Sequence, residues 1–192
     1  GLKRLYDKEF KAAPSRSDYD SCLKIAAKDF IVKTNKGTEI LSGYSWESKG
    51  LRETLISLPG LTLFNDGDIA TFDKILKTAI KIYSNQLYNG SRQVEAALWM
   101  FWVAQQHAAF TGDEKATWDK FKSVLKKIAD SFIAGGRMGV HLNADNGMLW
   151  TKMNGVALSW MNAYGSNSLP IAERGGYQVE TNALWYNALC YL

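Results

Sequence analysis

Apolar residues recur along most of the chain at the three- and four-residue spacing that gives a helix one greasy face. Over residues 18–32 the face is Tyr19, Cys22, Leu23, Ala26 and Phe30, with Ser17 placed as cap and Cys22 expected in the core. Residues 69–83 repeat the pattern through Phe72, Ile75, Leu76, Ala79, Ile80 and Tyr83, behind Asp68 as cap. Two further helices are predicted. Residues 93–110 present Val94, Ala97, Leu98, Phe101, Trp102 and Ala108, and residues 115–133 present Trp118, Phe121, Val124, Leu125, Ile128 and Phe132. Residues 51–64 are apolar too, but Pro59-Gly60 predicts a kink or a break there. A last helical pattern starts near Val179 and still runs at Leu192, with no Gly, cap or basic turn to close it. The chain is therefore expected to stop within or at the edge of a helix.

One stretch departs from helical spacing. Val140-His141-Leu142 and Met148-Leu149-Trp150 flank Ala144-Asp145-Asn146-Gly147, whose Asn-Gly step favours a hairpin turn. The linkers are short and polar, as adjacent antiparallel helices require. The fold class predicted is all-α, built of antiparallel helical hairpins with one small β-hairpin excursion. A polar segment, 1–17, precedes part of a domain, 18–192, which is expected to be cut at its C-terminal end.

Composition narrows the function. Lys+Arg is 23 against Asp+Glu 19, a net charge of +4, and the charges are interspersed rather than clustered, so no nucleic-acid partner is expected. No apolar run approaches the roughly 20 residues of a membrane helix, and the start of the chain has no signal-peptide core, so no membrane partner and a cytoplasmic location are expected. Two cysteines, Cys22 and Cys190, with His107 and His141 make neither a disulfide framework nor a zinc centre, and no cofactor or metal is expected. His107, mid-helix, is expected to be a structural histidine. A phosphate loop, HExxH, CxxC and a nucleophile elbow are all missing. The distinctive feature is seven Trp and nine Tyr. Indoles at that density either fill a core or stack on flat ligands. Several stand close to acids and amides: Trp46 with Arg52-Glu53, Glu95 with Trp99, Asp145 with Trp150, Trp160 with Asn162, Glu180 with Trp185. Carboxylates and amides bracket sugar hydroxyls while indoles cover the C–H faces of the ring, so the combination suits a saccharide. Trp99 and Trp102 are in phase with Leu98 and Phe101, so core packing competes with stacking at those positions; Trp118 is expected in the core.

GYSWESKGLRETLISLPGL (43–61), YNGSRQVEAALWM (88–100), ADNGMLW (144–150), LSWMNAY (158–164) and YQVETNALWYNAL (177–189) together resemble the amylo-α-1,6-glucosidase region of glycogen debranching enzymes, in that family's order. The resemblance implies an (α/α)6 toroid that hydrolyses α-1,6-linked glucosyl branches with inversion, its partner an α-glucan or oligosaccharide. Inversion needs a carboxylic acid to protonate the leaving oxygen and a second carboxylate, roughly 6.5–9.5 Å away, to activate water. The family's acid is the Asp of TWMDA, a motif that here reads Ser159-Trp160-Met161-Asn162-Ala163. Asn162 thus occupies the catalytic position with an amide that cannot donate a proton as an acid does. The family's base lies downstream of the VETNALWYNAL block, beyond Leu192. Of the pair that grips sugar hydroxyls in related barrels, Arg52 is kept and Glu53 stands for Asp; Glu95 likewise stands for Asp in Val94-Glu95-Ala96-Ala97-Leu98-Trp99. The substrate-binding set implied is Trp46, Arg52, Glu53, Glu95, Trp99, Trp150, Trp160, Glu180 and Trp185.

Two other functions stay open at this point. A non-catalytic carbohydrate-binding relative on the same fold is supported by Asn162. An α-helical scaffold for protein partners is the third, although no regular repeat of the expected length is visible. About six helices are counted, half the complement of a closed toroid, so an open apolar surface and a homodimer are expected.

Overall fold

Helix α1 (Tyr19–Asp29) begins where the Asp18 carboxylate accepts a hydrogen bond from Ser21 N at 2.8 Å. The computed structural model describes residues 3–4, 18–43, 50–90 and 92–192, so the expected cap, Ser17, lies outside the described residues. The helix ends at Asp29 rather than at residue 32. Ile31, Val32 and Thr34 are β-branched, and they pair as β1 (Ile31–Thr34) with antiparallel β2 (Gly37–Ile40), Ile31 opposite Ile40 and Thr34 opposite Gly37. The helical spacing over 18–32 does not predict this hairpin. Cys22 needs correction as well: it is exposed, and no residue of α1 is buried; among the described residues the helix rests mainly against β1 and the short helix at Leu63–Asp66.

Helix α2 (Leu51–Leu61) runs through Pro59 and breaks one residue after its end, at Thr62, rather than at Pro59-Gly60. Pro59 is buried on the face that also buries Leu51, Leu55 and Leu58, so packing holds a turn that the missing N–H weakens. Thr62 Oγ1 donates to Leu58 O, and α3 (Leu63–Asp66) follows, closed by Gly67 at φ 71°. Helix α4 (Ile69–Ile82) starts at the expected cap, Asp68 accepting from Thr71 N at 2.8 Å, and buries Phe72, Ile75, Leu76 and Ala79. A short α5 (Ser84–Tyr88) leads to the 93–110 segment, which divides into a 3-10 helix (Val94–Leu98) and α6 (Trp99–Thr111).

These two pieces form the centre. All five residues of the 3-10 helix are buried, and it touches α2, α5, α6 and α8, the last being Val179–Tyr191. Helix α6 is apolar nearly all round, and it packs against α2, α3, α8 and α7 (Glu114–Ile133). Between α6 and α7, His107 and Thr117 bond through Nδ1 and Oγ1 at 2.8 Å. Lys120 Nζ lies 3.2 Å from His107 Nε2; an ammonium can only donate, so Nε2 accepts and Nδ1–H donates to Thr117. Burial and the Lys120 charge depress the imidazole pKa and keep the ring neutral, as befits a structural histidine.

The expected second hairpin is present: β3 (Val140–Leu142) pairs antiparallel with β4 (Leu149–Thr151), with Gly147 at φ 70° in the turn. Asn182 of α8 clamps β4 through Leu149, accepting from its N at 2.8 Å and donating to its O at 3.0 Å. The architecture is therefore all-α with two small antiparallel strand pairs, one more than expected. Among the described residues no helix is long and apolar enough to cross a membrane, and no group of three or more His, Cys, Asp and Glu is placed to hold a metal ion.

Candidate functional site

Two acids enter the site from first turns of helices, where the dipole favours a carboxylate, and a third from the 3-10 helix. Arg52 and Glu53 open α2, Glu95 lies in the 3-10 helix, and Glu180 opens α8. Because the 3-10 helix touches both α2 and α8, residues far apart in sequence converge. Arg52 Nη2 and Nε donate to Glu53 Oε1 at 2.7 and 3.0 Å, and its Nη1 donates to Glu95 Oε1 at 3.1 Å. Glu95 is 2% exposed, yet its Oε2 has no hydrogen-bond partner among the described residues, and neither does Glu53 Oε2. Burial pushes the Glu95 carboxyl above the usual carboxylate range; the bond and charge of Arg52 oppose this, and the nearby Glu180 charge adds to it. A buried acid with one uncommitted oxygen is costly unless a ligand supplies the missing donor.

On the α8 side, Arg174 donates to both oxygens of Glu180, with Nη2–Oε2 at 3.1 Å, and Trp160 Nε1 donates to Glu180 Oε1 at 3.0 Å. The Arg174 guanidinium holds the Glu180 carboxyl below its ordinary range, and Glu180 in turn raises Arg174, whose charge also interacts with Glu95. The 160 loop is fixed to the hub, since Val94 N donates to Leu158 O at 3.1 Å. Gln178 steadies the 174 loop through bonds from Nε2 to Thr151 Oγ1 (2.8 Å) and Arg174 O (3.2 Å).

The expected residues fall into three groups. Arg52, Glu53 and Glu95 form one bonded group and Glu180 and Trp160, with Arg174, another; the charge interactions of Glu95 with Glu180 and Arg174 link the two into a charged cluster, rimmed by an indole that is 51% exposed. Asn162 is exposed on the loop after Trp160, and Trp150 lies exposed on β4, edge-on to Tyr177. Trp185 is 3% exposed, tilted against Phe132 with ring centroids 5.6 Å apart and donating to Gly147 O, so it packs as core between α7 and the β3–β4 turn. Trp99 is half-buried in a T-shaped contact with Trp102 at 5.6 Å. Trp118 is half-buried against the core and edge-on to Tyr191. Trp46 lies outside the described residues. Sequence patterning did not single out Arg174; its one signal was an arginine placed before Gly175-Gly176, immediately ahead of a helix that opens with an acid.

The model of the amylo-alpha-1,6-glucosidase family matches residues 25–192. The chain belongs to that family. The match takes in every described member of the charged cluster, and it makes this a glycoside hydrolase domain related to the glycogen debranching enzymes. No curated protein and no solved structure matches the chain. Within an amylo-alpha-1,6-glucosidase domain, a cluster of two arginines and three carboxylates beside an exposed indole offers what a sugar ring needs: donors and acceptors for its hydroxyls and a flat face for its C–H side.

Proposed function

We propose that this domain acts on α-glucans by holding a glucosyl unit at an α-1,6 branch for inverting hydrolysis, inside an (α/α)6 toroid to which its antiparallel helices contribute. The observation that supports it is the buried Glu95 carboxylate, bonded to Arg52 on one oxygen, unpartnered on the other among the described residues, and within charge range of the Arg174–Glu180 pair. Sugar hydroxyls engage the part-exposed side of the cluster: they accept from the Arg174 guanidinium and donate to the Glu180 carboxylate, while Trp160 covers a ring face.

Asn162 favours a second reading, a carbohydrate-binding relative without turnover, because an amide at the acid's position binds hydroxyls and protonates nothing. One experiment separates the two. Glucose release from a branched limit dextrin is measured for the full-length protein and for its Asn162→Asp variant, beside calorimetric titration with maltooligosaccharides. Hydrolysis predicts a slow release that Asn162→Asp raises at least 100-fold, on the order expected for a general acid. Binding of oligosaccharide with no release from either protein would establish the binding relative instead.

A further inference from the structure

Apart from the charged cluster, a second concave surface surrounds Trp150. On β4 its neighbours Leu149 and Thr151 are fully buried, so the pleat turns the Trp150 indole outward, where it is 41% exposed. An exposed indole is usually mobile, but this one is held. Tyr177 meets it edge-on at 5.1 Å and 84°, and the Tyr177 hydroxyl accepts from Asn143 Nδ2 at 2.6 Å. Gly176 lies against the ring and is bonded both ways to Thr151, at 3.0 and 2.8 Å. The open side of the indole faces a cavity of about 520 Å³ lined by Trp150, Lys152, Asn154, Glu173 and Gly175. The Lys152 ammonium and the Asn154 amide make no hydrogen bond among the described residues, while Glu173 Oε1 accepts only from Gly155 N, at 3.2 Å.

We propose that this cleft is a second saccharide subsite, taking a pyranose unit of an α-glucan chain with its C–H face on Trp150 and its hydroxyls on Asn154, Lys152 and Glu173. One ammonium and one carboxylate leave the rim without net charge, which selects a neutral ligand over an anion or a cation. A pinned indole calls for a flat apolar face, and the three polar groups call for an edge that both donates and accepts. A sugar ring has both. The two sites share one loop: Glu173 and Gly175 line the cleft while Arg174 clamps Glu180, so a longer glucan is held by two faces of the same segment. The subsite rests on the proposed function for its ligand, though not on the cluster's own residues.

Calorimetric titration with maltoheptaose, together with the Trp150 Nε1–H resonance assigned by its loss in Trp150→Phe, tests the subsite. The expected result is a resonance that shifts on titration, an affinity about tenfold weaker in Trp150→Ala and two- to threefold weaker in Asn154→Ala, a surface change that leaves the core intact. An unmoved resonance and unchanged affinity in both variants, with Glu95→Gln weakened, would overturn the subsite and leave the charged cluster as the binding site. The reverse, weakening in Trp150→Ala with Glu95→Gln unchanged, would support the subsite and remove the cluster. Absence of maltoheptaose binding up to about 10 mM would overturn both.

Discussion

Glu95 concentrates the chemistry of the charged cluster in one side chain. Its nearest cation, Arg52, is shared with Glu53, so the carboxylate is buried with half a partner. The consequence for stability follows from the direction of its shift. Burial raises the folded-state pKa above the ordinary value of 4.5, so the folded protein binds more protons than the unfolded chain between those two values. The contribution of this group is fully present below about pH 4.5 and is lost as pH rises through the folded value. Glu95→Gln keeps a neutral side chain at every pH. Urea denaturation of both proteins from about pH 4 to about pH 7 should therefore show the wild type losing stability relative to Glu95→Gln as pH rises. A difference that stays level, or one that slopes the other way, would mean that Arg52 outweighs burial and that the free oxygen is no liability.

Among the elements, α5 depends on a side chain from outside itself. Arg137, in the segment after α7, is buried and donates from Nη1 to Leu87 O at 2.9 Å and Ser131 Oγ at 2.7 Å, and from Nη2 to Gln86 O at 3.0 Å. Its guanidinium lies 4.1 Å over the Phe132 ring, and burial brings its pKa down to about 10 without removing the charge at neutral pH. The last carbonyls of a short helix have no partners within it, so Arg137 substitutes for a cap and ties α5 to α7. Arg137→Ala should cost about 3 kcal/mol, read as a fall in Tm of roughly 6–12 °C; Arg137→Lys should recover less than half, because one ammonium cannot span three acceptors. A loss below about 2 °C for Arg137→Ala would show that water caps α5 equally well. Contacts of this kind explain what patterning could and could not reveal. Helices α4, α7 and α8 were legible because one element's periodicity and cap suffice to define them. The β1–β2 hairpin was not: Phe30 to Val32 continues an apolar run, and only the turn at Asn35-Lys36-Gly37 and the packing of β2 on α4 decide for strands. The charged cluster was half legible. Arg52, Glu53, Glu95 and Glu180 stood in recognisable blocks, whereas Arg174 and the burial of Trp185 depend on contacts across 6 and 38 residues of chain that no local pattern encodes.

For the molecule as a whole, the open question is where its exposed apolar surface goes. Helix α8 is apolar on both sides. Its inner residues Thr181, Trp185 and Ala188 meet the core, and a reciprocal amide pair, Gln105 with Asn187 at 2.9 and 3.2 Å, fixes it to α6. Its outer stripe is Val179, Ala183, Tyr186, Leu189 and Cys190, with Val179 80% and Tyr186 71% exposed. These positions recur at helical spacing without a charge among them, which is the pattern of a helix covered on both faces. Under two-fold symmetry a second copy would set the same stripe against it, an apolar pairing that requires the stripe to be complementary to itself. Homodimerisation is therefore predicted, with light scattering giving twice the chain mass at about 100 µM and the monomer mass on dilution. Tyr186→Lys combined with Leu189→Glu places charge on the stripe while leaving Trp185 and Ala188 in the core, and should keep the protein monomeric with its Tm at low concentration unchanged. A wild-type monomer at that same concentration would refute the pairing. A dimer that survives the double substitution would move the interface away from α8, onto another of the exposed apolar segments such as Leu169 and Ile171.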